Sequence, residues 1–238
     1  MNSLELMKLA PGNAAQVGRA RATMERQLAH LKRLVDDVLD FSRMDRDLLE
    51  LRKTDVNLGV VLQEAVEACR STPAAVGRLL TVTLPPEPLS LVADADRLTQ
   101  VFGNLLTNAC KYTNPGGRIE VAVERWGSHV VVRVSDNGIG IPLGMLTKVF
   151  ERFMQVNGLA ERTQGGLGIG LALARQLVEL HGGTVTADSE GPGRGSEFIV
   201  RLPIHADRSV VLDLSRRQRN AATWLHRGSA SSTIAAIG

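Results

Sequence analysis

The chain has 238 residues, of which 44% are hydrophobic and 22% charged, a balance typical of a globular protein rather than a disordered one. Aromatic residues make up only 3%, which argues against a base-stacking surface for single-stranded nucleic acid. The net charge of +3 comes from residues 205–238, because the residues before them hold 23 basic and 23 acidic side chains. Nucleic-acid-binding domains usually concentrate positive charge on their folded part, so we expect no nucleic-acid partner.

Cysteine usage and apolar runs indicate the compartment. Cys69 and Cys110 are too few for a disulfide framework, and no Cys and His cluster has zinc-site spacing. No apolar run reaches the roughly eighteen residues of a membrane span, and residues 1–13 lack the unbroken apolar stretch of a signal peptide. We therefore expect a cytoplasmic chain without a membrane segment. A longer form could attach to a membrane through a region that precedes residue 1.

The first predicted element is a long helix over residues 14–50. Residues 4–9 predict the end of an earlier helix, and residues 11–13 a tight connection, so residues 1–53 are expected to be part of a helical hairpin. Apolar residues of the long helix recur every three or four positions, as in a packed helical seam, at Met24, Leu28, Leu31, Val35 and Val38.

From residue 54 onward, helices and strands are mixed. Further helices are predicted over residues 58–70, 95–112 and 171–181 with a short one after residue 142, and strands over 79–84, 89–92, 118–125, 129–136, 184–187 and 197–202. This order predicts an α+β fold, a two-layer α/β sandwich, over residues 54–204. Residues 205–238 are weakly patterned and are expected to form a flexible, unassigned basic tail.

Two asparagines form the first chemical motif. Asn104 and Asn108 are four residues apart and therefore share one face of a predicted helix. A partly buried amide costs free energy unless it is satisfied, so the pair favours a polar partner such as a hydrated cation or a phosphate. Two surface amides would give the same pattern, and the pair alone does not decide between these interpretations.

The other two motifs are rich in glycine. Asp136 follows a strand and can accept from an exocyclic amine, while the glycines after it let a ligand approach the backbone; a simple Asn-Gly turn is the alternative. The glycines of residues 165–170 open a helix, where free amides attract phosphate. They fit neither a Walker loop nor a Rossmann loop, and a flexible surface loop is the alternative.

Read together, these motifs resemble the ATP-binding domain of sensor histidine kinases, in the superfamily of DNA gyrase B, Hsp90 and MutL. Residues 104–112 resemble its N box, 136–141 its G1 box, 150–153 its F box, 166–171 its G2 box, and 195–198 a last glycine motif. The resemblance spans about residues 90–204 and implies a Bergerat-type fold. Residues 26–43 resemble the second helix of the kinase dimerisation domain.

The resemblance implies that the domain binds ATP and Mg²⁺. Asn108 would hold the magnesium ion against the phosphates, with Asn104 supporting it one helical turn earlier. Lys111 would reach a phosphate, Tyr112 would pack by the adenine or ribose, and Asp136 would bind the adenine amino group. Other implied ATP-binding residues are Gly138 and Gly140 beside the base, Gly166, Gly168 and Gly170 over the phosphates, and Phe153, Leu171 and Ser196 in the F box, the G2 box and the last motif.

The resemblance also bears on the reaction. In gyrase-like relatives, a glutamate that activates water stands at the position of Asn104. An amide cannot act as a general base, so transfer to a protein side chain is favoured over hydrolysis. The family implies a homodimer, here through residues 14–50, and the receiver domain of a response regulator as partner.

No phosphoacceptor histidine is identified. The family's acceptor box has the form His-Glu/Asp-Leu-Arg, and His30 lacks the adjacent carboxylate. His181 is interpreted as a helix-end histidine that the helix dipole favours. Either the chain is part of a longer kinase with its acceptor upstream, or it is a natural truncated form. The truncated form would phosphorylate a dimerisation domain in trans, or would act as an ATP-binding heterodimerisation module without turnover.

Overall fold

Helices packed against a five-stranded sheet make up the centre of the fold. The computed structural model describes residues 14–44, 49–154 and 168–204. The helices are α1 (Ala14–Met44), α2 (Leu58–Arg70), α3 (Ala95–Tyr112) and α4 (Gly170–Leu180), with 3₁₀ turns at Pro73–Ala75, Leu143–Met145 and Lys148–Phe150. The strands are β1 (Thr54–Asn57), β2 (Leu79–Thr83), β3 (Ser90–Ala93), β4 (Arg118–Trp126), β5 (His129–Asp136), β6 (Thr184–Asp188) and β7 (Ser196–Pro203).

The main sheet has the strand order β2-β4-β5-β7-β6. Strands β2 and β4 are parallel, and the other neighbouring pairs are antiparallel. Strands β1 and β3 form a separate antiparallel pair. The central strand β5 pairs with β7 along its whole length, so Asp136 at the end of β5 lies opposite Ser196 at the start of β7.

The core lies between one face of this sheet and the helices. Alternate residues of β4 and β7 are buried because successive strand side chains point to opposite faces. Each fully buried leucine contributes about 1.5–3 kcal/mol relative to an exposed one. The leucines of α2, α3 and α4 with no exposed surface are Leu58, Leu62, Leu98, Leu105, Leu106, Leu173 and Leu177.

Helix α3 carries four of the candidate site residues, Asn104, Asn108, Lys111 and Tyr112, and the sequence specifies both of its ends. Asp94 is its N-cap, and the carboxylate Oδ1 accepts a hydrogen bond of 3.2 Å from the Arg97 amide. At the other end, Thr113 adopts an extended conformation with ψ of 134°, two residues before Pro115. These signals position the polar residues of α3 relative to the sheet.

The predicted two-layer fold is confirmed, and both predicted ends of α2 and of α3 are correct. The long helix predicted over residues 14–50 instead ends at Met44, and residues 49 and 50 are not helical. The Arg52 amide beyond them donates a hydrogen bond of 2.9 Å to Asp94 Oδ2. The backbone at Arg52 therefore bonds to a distant part of the domain instead of continuing the helix. Strand β1 was not predicted, because only one of its four residues is buried.

Several predictions lie outside the described residues: the first arm of the hairpin, the tail 205–238, and the segment 155–167 with Gly166. Within the described part of the chain, helix α1 contacts α4, and Ala20 of α1 is buried. None of the helices in that part is both long and apolar enough to cross a membrane.

Candidate functional site

Asp136 stands at the end of the central strand, and its carboxylate is held from two sides. Oδ2 accepts a hydrogen bond of 2.5 Å from the Ser196 hydroxyl, and Oδ1 accepts one of 2.8 Å from the Gly138 amide. The side chain is half-buried. A carboxylate has about four acceptor positions, so two fixed bonds orient this group and leave it able to accept from a ligand amine.

The glycines around Asp136 allow three backbone segments to meet. A Cβ atom on Gly138 would overlap the Tyr112 carbonyl oxygen, and one on Gly195 would overlap the Asp136 carbonyl oxygen. The Ile139 amide donates 3.1 Å to the Tyr112 carbonyl, and the Gly195 amide donates 3.1 Å to that of Gly138. The end of α3, the loop after β5 and the loop before β7 therefore form one connected cluster.

Gly140 belongs to the same cluster. It has a positive φ of 71°, and its Cβ position would overlap the Gly191 carbonyl oxygen. The prediction that Gly138 and Gly140 make room for a base stays a prediction. The contacts show a separate reason for glycine at both positions: the protein's own backbone packs too closely there for a side chain.

Sequence reasoning missed Ser189, which connects the same loops. Its buried hydroxyl donates 2.6 Å to the Gly195 carbonyl and accepts from the amides of Ile141, at 3.0 Å, and Gly191, at 3.2 Å. A serine directly before a loop with glycines at 191, 193 and 195 was the available signal, since a hydroxyl can satisfy exposed loop amides.

Helix α3 links this cluster to the start of α4. Asn104, Asn108 and Tyr112 are spaced four residues apart, and the first and last of them lie about 12 Å apart along the helix axis. Asn104 Nδ2 donates 3.0 Å to the Gly170 carbonyl in the first turn of α4. Asn108 lies between the two ends, and no described residue hydrogen-bonds to its half-buried side chain.

Lys111 and Thr113 add polar groups to the end of α3. Lys111 Nζ lies 5.0 Å from the centre of the Tyr112 ring, a cation–π distance. The Thr113 hydroxyl is buried, and the described part of the chain offers it no hydrogen-bond partner. An unpaired buried hydroxyl costs free energy, so Thr113 is a locally destabilising residue beside the site.

The F box and the start of the G2 box contact each other through their backbones. The Phe153 amide donates 3.0 Å to the Gly168 carbonyl, and both residues have positive φ angles, 59° and 70°. Phe153 is 67% exposed, whereas Leu171 in the first turn of α4 is half-buried. The predicted phosphate residues Gly168 and Gly170 therefore lie at the N-terminus of α4, near Asn104.

His181 is buried, and its contacts determine its protonation state. The Asp94 amide donates 3.0 Å to His181 Nε2, so Nδ1 carries the ring proton and donates 2.8 Å to the Leu177 carbonyl. Burial lowers the pKa of His181. His181 is the C-cap of α4, so its predicted place at a helix end is correct. The histidine is neutral and structural, however, and the expectation that the helix dipole favours it is wrong because no positive charge is present for the dipole to stabilise.

The predicted site residues thus form two groups joined by α3. The first contains Tyr112, Asp136, Gly138, Gly140 and Ser196. The second contains Asn104, Phe153, Gly168 and Gly170, with Asn108 and Lys111 on the helix between them. An acceptor carboxylate, a half-buried amide, a lysine and a helix N-terminus are groups suited to a nucleotide and a divalent cation.

Comparisons with known proteins agree with this arrangement. A family described as "Histidine kinase-, DNA gyrase B-, and HSP90-like ATPase" matches residues 93–206. The sensor protein kinase WalK of Staphylococcus haemolyticus is 35% identical over 173 residues, which are 72% of this chain and 28% of WalK. The match likewise covers 28% of the WalK proteins of Staphylococcus saprophyticus and Staphylococcus epidermidis, so the chain spans little more than a quarter of the length of these relatives.

Two solved structures share the fold. The mycobacterial sensor histidine kinase MprB is 30% identical, with a TM-score of 0.55 over 63% of this chain and 97% of the MprB chain. Full-length ShkA in complex with AMPPNP is 27% identical, with a TM-score of 0.65 over 87% of this chain and 42% of that chain. With the site geometry, these similarities show that the chain belongs to the histidine kinase-, DNA gyrase B- and HSP90-like ATPases and contains the ATPase core of a sensor histidine kinase.

Proposed function

We propose that this chain is the catalytic core of a two-component sensor histidine kinase, which binds ATP with Mg²⁺ and transfers the γ-phosphoryl group to a histidine. The observation that carries the proposal is the path of α3 from the Asp136 cluster to the start of α4. This path lets one helix contact both the base end and the phosphate end of a nucleotide. ShkA, a relative with the same fold, has been solved in complex with AMPPNP.

The base end of the proposed site is the Asp136 cluster. The Asp136 carboxylate accepts a hydrogen bond from the adenine amino group, and Ser196 holds that carboxylate in place. Gly138 and Gly140 leave room for the base, and Tyr112 packs beside the adenine or ribose. Because a carboxylate only accepts hydrogen bonds, this arrangement favours adenine, whose edge donates at that position.

The phosphate end is formed by α3 and the N-terminus of α4. Asn108 would hold Mg²⁺ through its amide oxygen, and Lys111 would bind a phosphate. Gly168 and Gly170 of the G2 box, with Leu171 beside them and Phe153 of the F box, would enclose the phosphates, and by the resemblance so would Gly166, which lies outside the described residues. A bound Mg²⁺ would neutralise negative charge on the transferred phosphoryl group, and the protein's own contribution is positioning and charge stabilisation.

Asn104 directs the proposed reaction away from hydrolysis. Its amide nitrogen donates to the Gly170 carbonyl, and the side chain has no basic atom that could take a proton from water. We therefore infer that the γ-phosphoryl group passes to a histidine of a dimerisation domain, in the same chain or in trans.

Helix α1 supports a dimeric arrangement. Its side chains Leu28, Leu31, Val35 and Leu39 are 49–65% exposed and recur every three or four residues. Exposed leucines at this spacing form a seam suited to a second copy, so we propose a homodimer through residues 14–50. Residues 1–53 are then the dimerisation part, residues 54–204 the catalytic domain, and residues 205–238 an unassigned tail. We place the core in the cytoplasm, with the receiver domain of a response regulator as its partner.

The test is incubation of the purified chain with γ-labelled ATP and Mg²⁺, with and without a separately supplied dimerisation domain that carries an acceptor histidine. Acid-labile label on the added domain is the expected result. Asn108→Ala should abolish it and Asp136→Asn should reduce it at ATP concentrations below saturation, whereas two exposed α3 positions, Thr107→Ala and Asp96→Asn, should leave it unchanged. ATP binding without label on any protein would instead support a binding and heterodimerisation module.

A further inference from the structure

The two cysteines of the chain, absent from the proposed mechanism, lie against each other. Cys69 is in the last turn of α2 and Cys110 is in the last turn of α3, and both thiols are free and buried. Their sulfur atoms are 3.1 Å apart. A disulfide bond needs about 2.05 Å, so the sulfurs must approach by only about 1 Å to bond.

The two thiols also hydrogen-bond to each other, and either sulfur atom can be the donor. Either cysteine can therefore react first with an oxidant, and the sulfur atom of the other is already in place for the second step.

We propose that Cys69 and Cys110 are an oxidative modification site, in which a peroxide drives formation of an intramolecular disulfide between the ends of α2 and α3. One thiol of the pair, as its thiolate, attacks one oxygen of hydrogen peroxide; the O–O bond breaks, and with the thiol proton the products are a sulfenic acid and one water. The sulfur atom of the other cysteine then attacks the sulfenic sulfur and releases a second water. Two thiols and one peroxide thus give one disulfide and two waters, and a dithiol reductant reverses the change.

The position of the two cysteines at helix ends determines how peroxide reaches them and which part of the site the disulfide would affect. Cys69 is the penultimate residue of α2, and helix ends open more readily than helix centres, so a small peroxide can reach it. Cys110 lies one residue before Lys111 and two after Asn108. The disulfide would therefore fix the segment of α3 that carries both of these site residues.

Peptide mapping of the wild-type chain tests the proposal directly. Trypsin releases Cys69 in residues 54–70 and Cys110 in residues 98–111. After hydrogen peroxide and alkylation of remaining thiols, we expect one linked species of these two peptides. Its mass is two hydrogen atoms below their sum, and dithiothreitol separates it. Two alkylated peptides, a sulfinic acid on Cys110 without a link, or a link between two chains would each overturn the proposal.

Two single variants test whether both thiols are needed. In Cys69→Ala and in Cys110→Ala, the remaining thiol has no partner, so its sulfenic acid should persist and dimedone should trap it as a stable adduct. The wild-type chain should give several-fold less adduct, because the second thiol consumes the sulfenic acid. Equal labelling of the wild type and both variants would overturn the disulfide step. The wild-type peptide map tests the pair even if either variant fails to fold.

Discussion

The Ser196 hydroxyl donates a 2.5 Å hydrogen bond to the Asp136 carboxylate across 60 residues of chain. The β5–β7 register makes this contact possible, because it puts the last residue of one strand opposite the first residue of the other. The orientation of the site carboxylate therefore depends on strand pairing rather than on a local turn.

Asp136→Asn should weaken ATP binding while the protein stays folded. The asparagine oxygen can still accept from the Gly138 amide, and its NH₂ group can donate to the Ser196 hydroxyl, which is able to accept. The substitution removes the charge-assisted bond to the ligand amine, which is worth about 1.5–3 kcal/mol, or roughly tenfold to a hundredfold in affinity. Isothermal titration with ATP measures the change. Asp96→Asn, which removes an exposed charge from α3, is the control. Equal affinities for wild type and Asp136→Asn would remove Asp136 from the site.

Gly195→Ala should be much more destabilising than Gly193→Ala. Both glycines have a positive φ, 75° and 77°, so each alanine pays about 1–2 kcal/mol for a left-handed backbone. Only at Gly195 would the new Cβ overlap the Asp136 carbonyl, which adds about 1–3 kcal/mol, whereas nothing lies within 4 Å of it at Gly193. Urea unfolding of both variants gives the difference. Similar values for the two would contradict the packing described here.

Two buried hydroxyls near the site should respond oppositely to removal. Thr113 has no partner in the described structure, so Thr113→Val should leave the free energy of unfolding unchanged or raise it by up to about 1 kcal/mol. Ser189 makes several hydrogen bonds, so Ser189→Ala should lower it by about 1–3 kcal/mol. Chemical denaturation checks both values. A clear loss in Thr113→Val would mean that the protein itself already satisfies this hydroxyl.

His181 should make stability depend on pH. Burial lowers its pKa in the folded protein, with Lys53 acting in the same direction and the Leu177 carbonyl and Asp94 opposing it. The unfolded histidine, with a pKa of about 6.5, therefore binds its proton first as the pH falls. The free energy of unfolding should decrease as the pH drops below about 6.5, down to the lower folded pKa.

The matched variant is His181→Gln, whose amide oxygen can still accept from the Asp94 amide but does not titrate. Unfolding titrations from about pH 7.5 to about pH 5.5 should show a shallower pH dependence for this variant than for the wild type. Parallel curves for the two proteins would show that His181 does not govern the acid sensitivity.

Local sequence signals select the candidate site residues, whereas the contacts that hold these residues leave no such signal. Asp136 ends a strand, and Gly168 and Gly170 lie at the start of α4, and both kinds of position have local signals. The contacts of Ser189 and the neutral state of His181 depend on segments far apart in the chain, which no periodicity records. The end of the long helix was misplaced for the same reason, since the Arg52 amide bonds to a carboxylate 42 residues away.

The Asp94 carboxylate couples two segments of the chain mechanically. Asp94 Oδ2 accepts from the Arg52 amide while Oδ1 accepts from the Arg97 amide, so a single side chain bridges the segment that follows α1 and the first turn of α3. A displacement of Arg52 must therefore either carry the first turn of α3 with it or break a part-buried hydrogen bond. Tension applied at Arg52 thus reaches the asparagine-bearing helix across space, without passing through β1, α2, β2 and β3 in turn.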